Sequence, residues 1–118
     1  MYRLEPETEG ATLTLHLTGS VLLDDAVAFN NEMRDYSKKP NINQLVLDLG
    51  AVEEMDNAGL GALVSLHTSM QRYGRRLVLS HISEHVEQLL EAAEIEGFFP
   101  TVESEEELKG FIQINAKK

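Results

Sequence analysis

The chain of 118 residues contains no cysteine and no tryptophan. Lacking cysteine, it can form no disulfide, no thiol nucleophile and no cysteine-based zinc site. Cations are scarce: 10 Lys and Arg face 20 Asp and Glu, for a formal net charge of −10. That balance argues against nucleic acid and anionic membrane surfaces as partners, because like charges repel. It permits a basic protein partner. No apolar run approaches the ~20 residues of a membrane span, and Met1-Tyr2-Arg3-Leu4-Glu5-Pro6 lacks a signal peptide's apolar core. The expectation is a cytoplasmic protein with no direct membrane insertion. Low-complexity tracts, internal repeats and linkers are absent too, so residues 1–118 read as one domain. A domain of this length buries ~65% of the surface its unfolded chain exposes.

What is present is organised around Leu45-Val46-Leu47-Asp48-Leu49 and the segment Met55-Asp56-Asn57-Ala58-Gly59-Leu60-Gly61. The apolar run reads as a strand buried on both faces. A short acidic turn follows, then a helical pattern from about Ala58. Asp56 or Asn57 can cap that helix, since either side-chain oxygen accepts an orphan backbone N–H. Ala58, Gly59 and Gly61 leave its first turn nearly bare, so another surface can approach the backbone. The bland alternative is a capped turn with small residues for close packing.

The remaining chain alternates strands and helices. A short first strand is expected to end in a polar turn over Glu5–Gly10. Ala11–Thr18 then alternates strictly, with Leu13, Leu15 and Leu17 on one face and the threonines and His16 on a wetter one. Asp24 or Asp25 can cap a helix to about Ser37, burying Ala26, Phe29, Met33 and Tyr36. The helix after Ala58 carries Leu60, Leu63, Val64, His67 and Met70 at helical spacing. Gly74 ends it, with Arg72, Arg75 and Arg76 suited to its negative end. His67 reads as a hydrogen-bonded core histidine. A further buried strand covers Arg75–Ser80, and Ser83 caps the next helix. Thr101-Val102 reads as a short last strand, and Ser104 caps a final helix using Leu108, Phe111 and Ile112. Strands separated by helices imply an α/β domain with a mixed sheet of four or five strands.

Chemistry is sparse. Paired Asp24 and Asp25 read as caps rather than metal ligands. His81 and His85 have helical metal-pair spacing, but His81 precedes the cap and no third ligand is evident. No Ser-His-Asp order or Gly-Lys-Ser/Thr phosphate loop is present. Neither enzyme activity, cofactor nor metal is expected.

Asp56-Asn57-Ala58-Gly59-Leu60-Gly61 resembles the Asp-Ser-Ser/Ala-Gly-Leu/Ile-Gly signature of STAS domains, and more narrowly that of bacterial anti-sigma factor antagonists. Leu17-Thr18-Gly19, Leu77-Val78-Leu79-Ser80 with Ile82-Ser83, and Gly97-Phe98-Phe99 agree in order and spacing. The resemblance spans roughly Ala11 to Phe111. It implies a STAS-like sheet covered mainly on one side by about four helices. It also implies a signal-transducing, transcription-regulating module that binds an anti-sigma factor of histidine-kinase-like fold. The implied partner-binding residues are Ser20, Asp24, Asp56, Asn57, Ala58, Gly59, Leu60 and Gly61. Two departures stand out. Ser20 replaces a customary Glu before the apolar Val21-Leu22-Leu23, and Asn57 stands where the family carries a phosphorylatable serine. Phosphate there would add about −1.5 to −2 charges. Asn57 cannot accept one, so the implied antagonist is permanently binding-competent. The alternative is a STAS subunit of a lipid-transport ATPase complex, whose similar Asp-Thr-Ala-Gly-Leu signature shares Ala58.

Overall fold

The computed structural model describes residues 1–115. In chain order it has β1 (Tyr2–Glu9), β2 (Thr12–Val21), a 3-10 turn over Leu23–Asp25, α1 (Ala26–Ser37), β3 (Gln44–Met55) and α2 (Asn57–Arg72). Then follow β4 (Arg76–Ser80), α3 (Glu84–Ala92), β5 (Thr101–Val102) and α4 (Glu105–Asn115). The strands make one five-stranded mixed sheet whose spatial order is the chain order, β1-β2-β3-β4-β5. β1 runs antiparallel to β2, and the other pairings are parallel. Each parallel step needs a crossover, which α1, α2 and α3 supply. The expected α/β architecture is the one observed.

Alternation along the strands divides two cores. Leu13, Leu15, Leu17, Leu45, Leu47, Leu49, Leu77 and Leu79 face Phe29 and Met33 of α1, Leu63 and Met70 of α2, and Val86 and Leu90 of α3. Burying each such side chain is worth about 1.5–3 kcal/mol. On the opposite face Val46, Val78 and Val102 meet Leu108, Phe111 and Ile112 of α4. Three helices therefore cover one face and the fourth lies on the other.

Two strand boundaries differ from expectation. Glu5–Glu9 is not a turn: β1 runs through it, with Pro6 opposite Leu15, and the reversal falls at Gly10. β1 is an edge strand, where proline and unpaired charges are tolerated because one side faces water. Its glutamates imitate a loop. The segment Gly50–Met55 is not a turn either. It continues β3 beside Thr18–Val21, with register shifts between His16 and Thr18 and between Gly19 and Ser20. Val52 and Met55 point inward there while Glu53 and Glu54 are exposed, so the acidic residues mark one wet side of a strand.

Candidate functional site

The ends of β2 and β3 deliver Val21 and Met55 side by side, and α2 starts two residues after Met55. Asp56 is the cap, in extended conformation. Its Oδ1 accepts the N–H groups of Ala58 at 3.0 Å and Gly59 at 3.1 Å. Its Oδ2 accepts the N–H of Leu23 at 2.9 Å. One carboxylate thus fastens the start of α2 to the turn that leads into α1. Behind it, the Met55 N–H donates to His85 Nε2 at 2.9 Å, which ties the end of β3 to α3. His85 is therefore engaged by the end of β3, whereas His81 meets Asp48 and Glu105.

Asn57, freed from capping, is the exposed first residue of α2, and its side chain has no hydrogen bond among the described residues. The two neighbouring glycines differ sharply. Gly59 is buried: a Cβ on it would lie 2.7 Å from the Val21 carbonyl oxygen and 2.8 Å from Met55 Cγ. Gly61 is exposed, with nothing within 4 Å of its Cβ position. Leu60 is buried as well. Of the residues implicated by the sequence, Asp24, Asn57, Ala58 and Gly61 reach the surface around Asp56. Gly59 and Leu60 form the floor beneath. Ser20, opposite Glu54 on β2, is half-buried, and its backbone N–H donates to the Met1 carbonyl at 2.8 Å.

A groove of about 260 Å³ opens from this turn between α1 and α2, lined among others by Val27, Asn30, Ala58, Gly61 and Ser65. Leu23 and Val27 stand 71% and 74% exposed at its head. Sequence reasoning noted Leu23 only within the apolar Val21-Leu22-Leu23 run and did not single out Val27. Its signal was available: Val27 is an apolar residue off the buried stripe of Phe29 and Met33.

The cap assignment makes a direct stability test. Asp56→Ala removes the acceptor of three backbone N–H groups and should cost about 1–3 kcal/mol. Asn57→Ala should change stability by less than about 0.5 kcal/mol. Thermal melts of the two variants check this order, and equal losses would reassign the cap.

On the sheet face away from α1 and α2, His16 is not simply solvated. Its Nδ1 lies 2.8 Å from Asp48 Oδ2 and its Nε2 3.0 Å from Glu7 Oε1. His81 continues the row, with Nδ1 3.2 Å from Asp48 Oδ1, an ion-pair distance without hydrogen-bond alignment, and Nε2 against Glu105. Partial burial of His16 opposes its charge, but the hydrogen bonds and charges of Glu7 and Asp48 outweigh that and raise its pKa above the ordinary 6.5. A raised pKa stabilises the fold fully below 6.5 and loses that contribution as pH rises through the higher folded-state value. Urea melts across that range should show the advantage of wild type over His16→Gln shrinking as pH increases. A constant difference would mean that the pair carries no charge.

A STAS domain model matches residues 3–108, and the chain belongs to that family. Among solved structures, a Thermotoga maritima protein described as an anti-sigma factor antagonist superposes with a TM-score of 0.82 at 20% identity, covering 93% of this chain and 94% of that one. An anti-sigma factor antagonist from Mycobacterium paratuberculosis gives 0.81 at 14%, covering 96% and 95%. A sulfate transporter family protein from Wolinella succinogenes gives 0.73 at 14%, covering 92% and 89%. At such identities the likeness is one of fold.

Proposed function

We propose that the chain is an anti-sigma factor antagonist-like binding module, cytoplasmic and without catalytic activity, whose signature turn is fixed in the binding-competent state. The observation that carries this reading is Asn57, exposed at the first position of α2 beside an open groove headed by Leu23 and Val27. The partner is an anti-sigma factor of histidine-kinase-like fold, as the family resemblance implies. It would lay an apolar edge over Leu23 and Val27 and bring its backbone close to Gly61. In relatives that carry serine at the Asn57 position, phosphate would place negative charge in that contact. The neutral amide of Asn57 resembles the unmodified serine, so binding here has no off-state at this residue.

The test uses the residue itself. Wild type should take up no phosphate at the turn from ATP and a kinase that recognises it. Asn57→Ser should gain one phosphate by mass spectrometry and then lose affinity, because the helix start stabilises the added anion while the partner meets its charge. Asn57→Glu should weaken binding at least tenfold without a kinase. The reading is wrong if wild type binds no anti-sigma partner, or if Asn57→Glu binds as tightly. A second reading, a STAS subunit of a lipid-transport ATPase complex, draws on Ala58, which the similar signature of that group shares. Co-purification with a transporter ATPase instead of an anti-sigma factor would select it.

A further inference from the structure

A larger cavity, about 520 Å³, lies at the other pole of the sheet, between the N-terminal ends of β3 and β4, the last turn of α2 and Pro100. Its volume falls within the range of ~300–1,000 Å³ typical of small-molecule sites. Three features of its wall point to an anion.

The first is charge. No carboxylate is among the lining residues, in a protein of net charge −10. Arg75 and Arg76 both line it. Arg75 Nη1 donates to the Ser37 carbonyl at 2.5 Å, which draws the end of α1, with Lys38 and Lys39, to the same pole. Only one of the five guanidinium N–H donors of Arg75 is used in that bond. Lys38, Lys39, Arg72, Arg75 and Arg76, half of the chain's 10 cations, thus gather at one end.

The second is His67. It is 7% exposed, and its ring is held by Phe98 at 4.8 Å and Phe99 at 5.5 Å between centroids. Its Nδ1 is buried with no hydrogen-bond partner, contrary to the hydrogen-bonded core histidine expected from sequence. A buried polar atom without a partner is costly unless something else meets it. His67 forms part of the cavity wall.

The third is an open stretch of strand edge. Arg76 N–H bonds the Asn43 carbonyl on the β3 side, whereas Leu79 N–H bonds the Pro100 carbonyl on the β5 side. In a parallel strand successive N–H groups alternate sides, so Leu77 N–H points away from β3. β5 pairs only with Leu79 and Ser80 and leaves no strand opposite Leu77, which lines the cavity.

We propose that this cavity binds a small molecule bearing an oxyanion, a phosphate monoester or a carboxylate. Arg75 and the Leu77 N–H take the anion, the Gln71 amide orients the ligand, its body rests on Pro100, and a turn of the His67 ring brings Nδ1, closed off in the unliganded fold, to the ligand. The volume suits an anion with a body rather than a bare ion. The site is distinct from the signature turn and stands independently of the docking reading.

Amide NMR of the full chain tests this, with ribose 5-phosphate, ribose and succinate as probes. Saturable shifts at Gly74, Arg75 and Leu77 are expected with a Kd below about 1 mM for ribose 5-phosphate or succinate, and none for ribose. The tighter of the two anions identifies the headgroup. Gln71 is exposed, so Gln71→Glu should keep the fold by circular dichroism yet weaken binding at least tenfold, and Gln71→Arg should strengthen it. The site is overturned by absence of saturable shifts with either anion, by equal shifts with ribose, by shifts gathered at Asp56–Gly61, or by a Gln71→Glu variant that binds as tightly as wild type.

Discussion

Gly59→Arg is expected to unfold the protein. The sequence pattern presents Gly59 as bare surface, where an arginine would block a partner and leave the fold intact. The structure corrects this. The first side-chain carbon would meet the Val21 carbonyl at 2.7 Å, Met55 Cγ at 2.8 Å and Val21 Cγ1 at 3.1 Å. A methionine tip can move, but the carbonyl belongs to a strand held in the sheet. Overpacking costs about 1–3 kcal/mol for added methylenes alone. Arginine adds far more bulk than one methylene, against a total stability of about 5–15 kcal/mol. Circular dichroism should show a lost or greatly lowered melting transition. A native melt would mean that α2 can shift away from β2.

The second large effect separates fold from binding two residues later. Gly61→Arg should melt at or above the wild-type temperature, since no atom lies within 4 Å of its Cβ position and any residue other than proline is a better helix former than glycine by up to about 1 kcal/mol. The same change fills the groove between α1 and α2 with a long cation. Affinity for the proposed anti-sigma partner should fall at least 100-fold, about 2.7 kcal/mol. Isothermal titration with the folded variant checks it. Unchanged affinity would move the docking surface off this groove.

The contrast between Gly59 and Gly61 marks the limit of what was legible. Both are small residues in one helical turn, and only the approach of Val21 and Met55 to Gly59 tells them apart. Local signals read well: Leu45–Leu49, the helix from Leu60 to Met70, and the Ser83 cap, whose Oγ accepts the Val86 N–H at 3.3 Å. Asp56 and Asn57 were tied as caps in sequence, and the tie is broken by a nonlocal partner, the Leu23 N–H. β1 was misread in its second half because an edge strand's glutamates follow the same rules as a turn's. His16 looked solvated because Asp48 lies 32 residues away and meets it only through the parallel register of β2 and β3.

The agreement between strand order and chain order has a consequence for how the molecule is made. Every strand docks on an edge that its predecessor has just completed, so no strand waits for a later one to be inserted between it and its neighbour. The hairpin of β1 and β2 closes a loop of two residues, and each later step closes one crossover. Only the hairpin brings near neighbours in sequence together; each parallel pairing must first close a crossover, which makes it the slower kind of step. Synthesis from the N-terminus can therefore assemble the sheet one strand at a time. The signature turn is complete once α2 has emerged and docked, while the second core, built on Val102 and Leu108, closes only once β5 and α4 have emerged. Until then Val46 and Val78 remain uncovered, and the nascent chain presents them to whatever binds apolar surface.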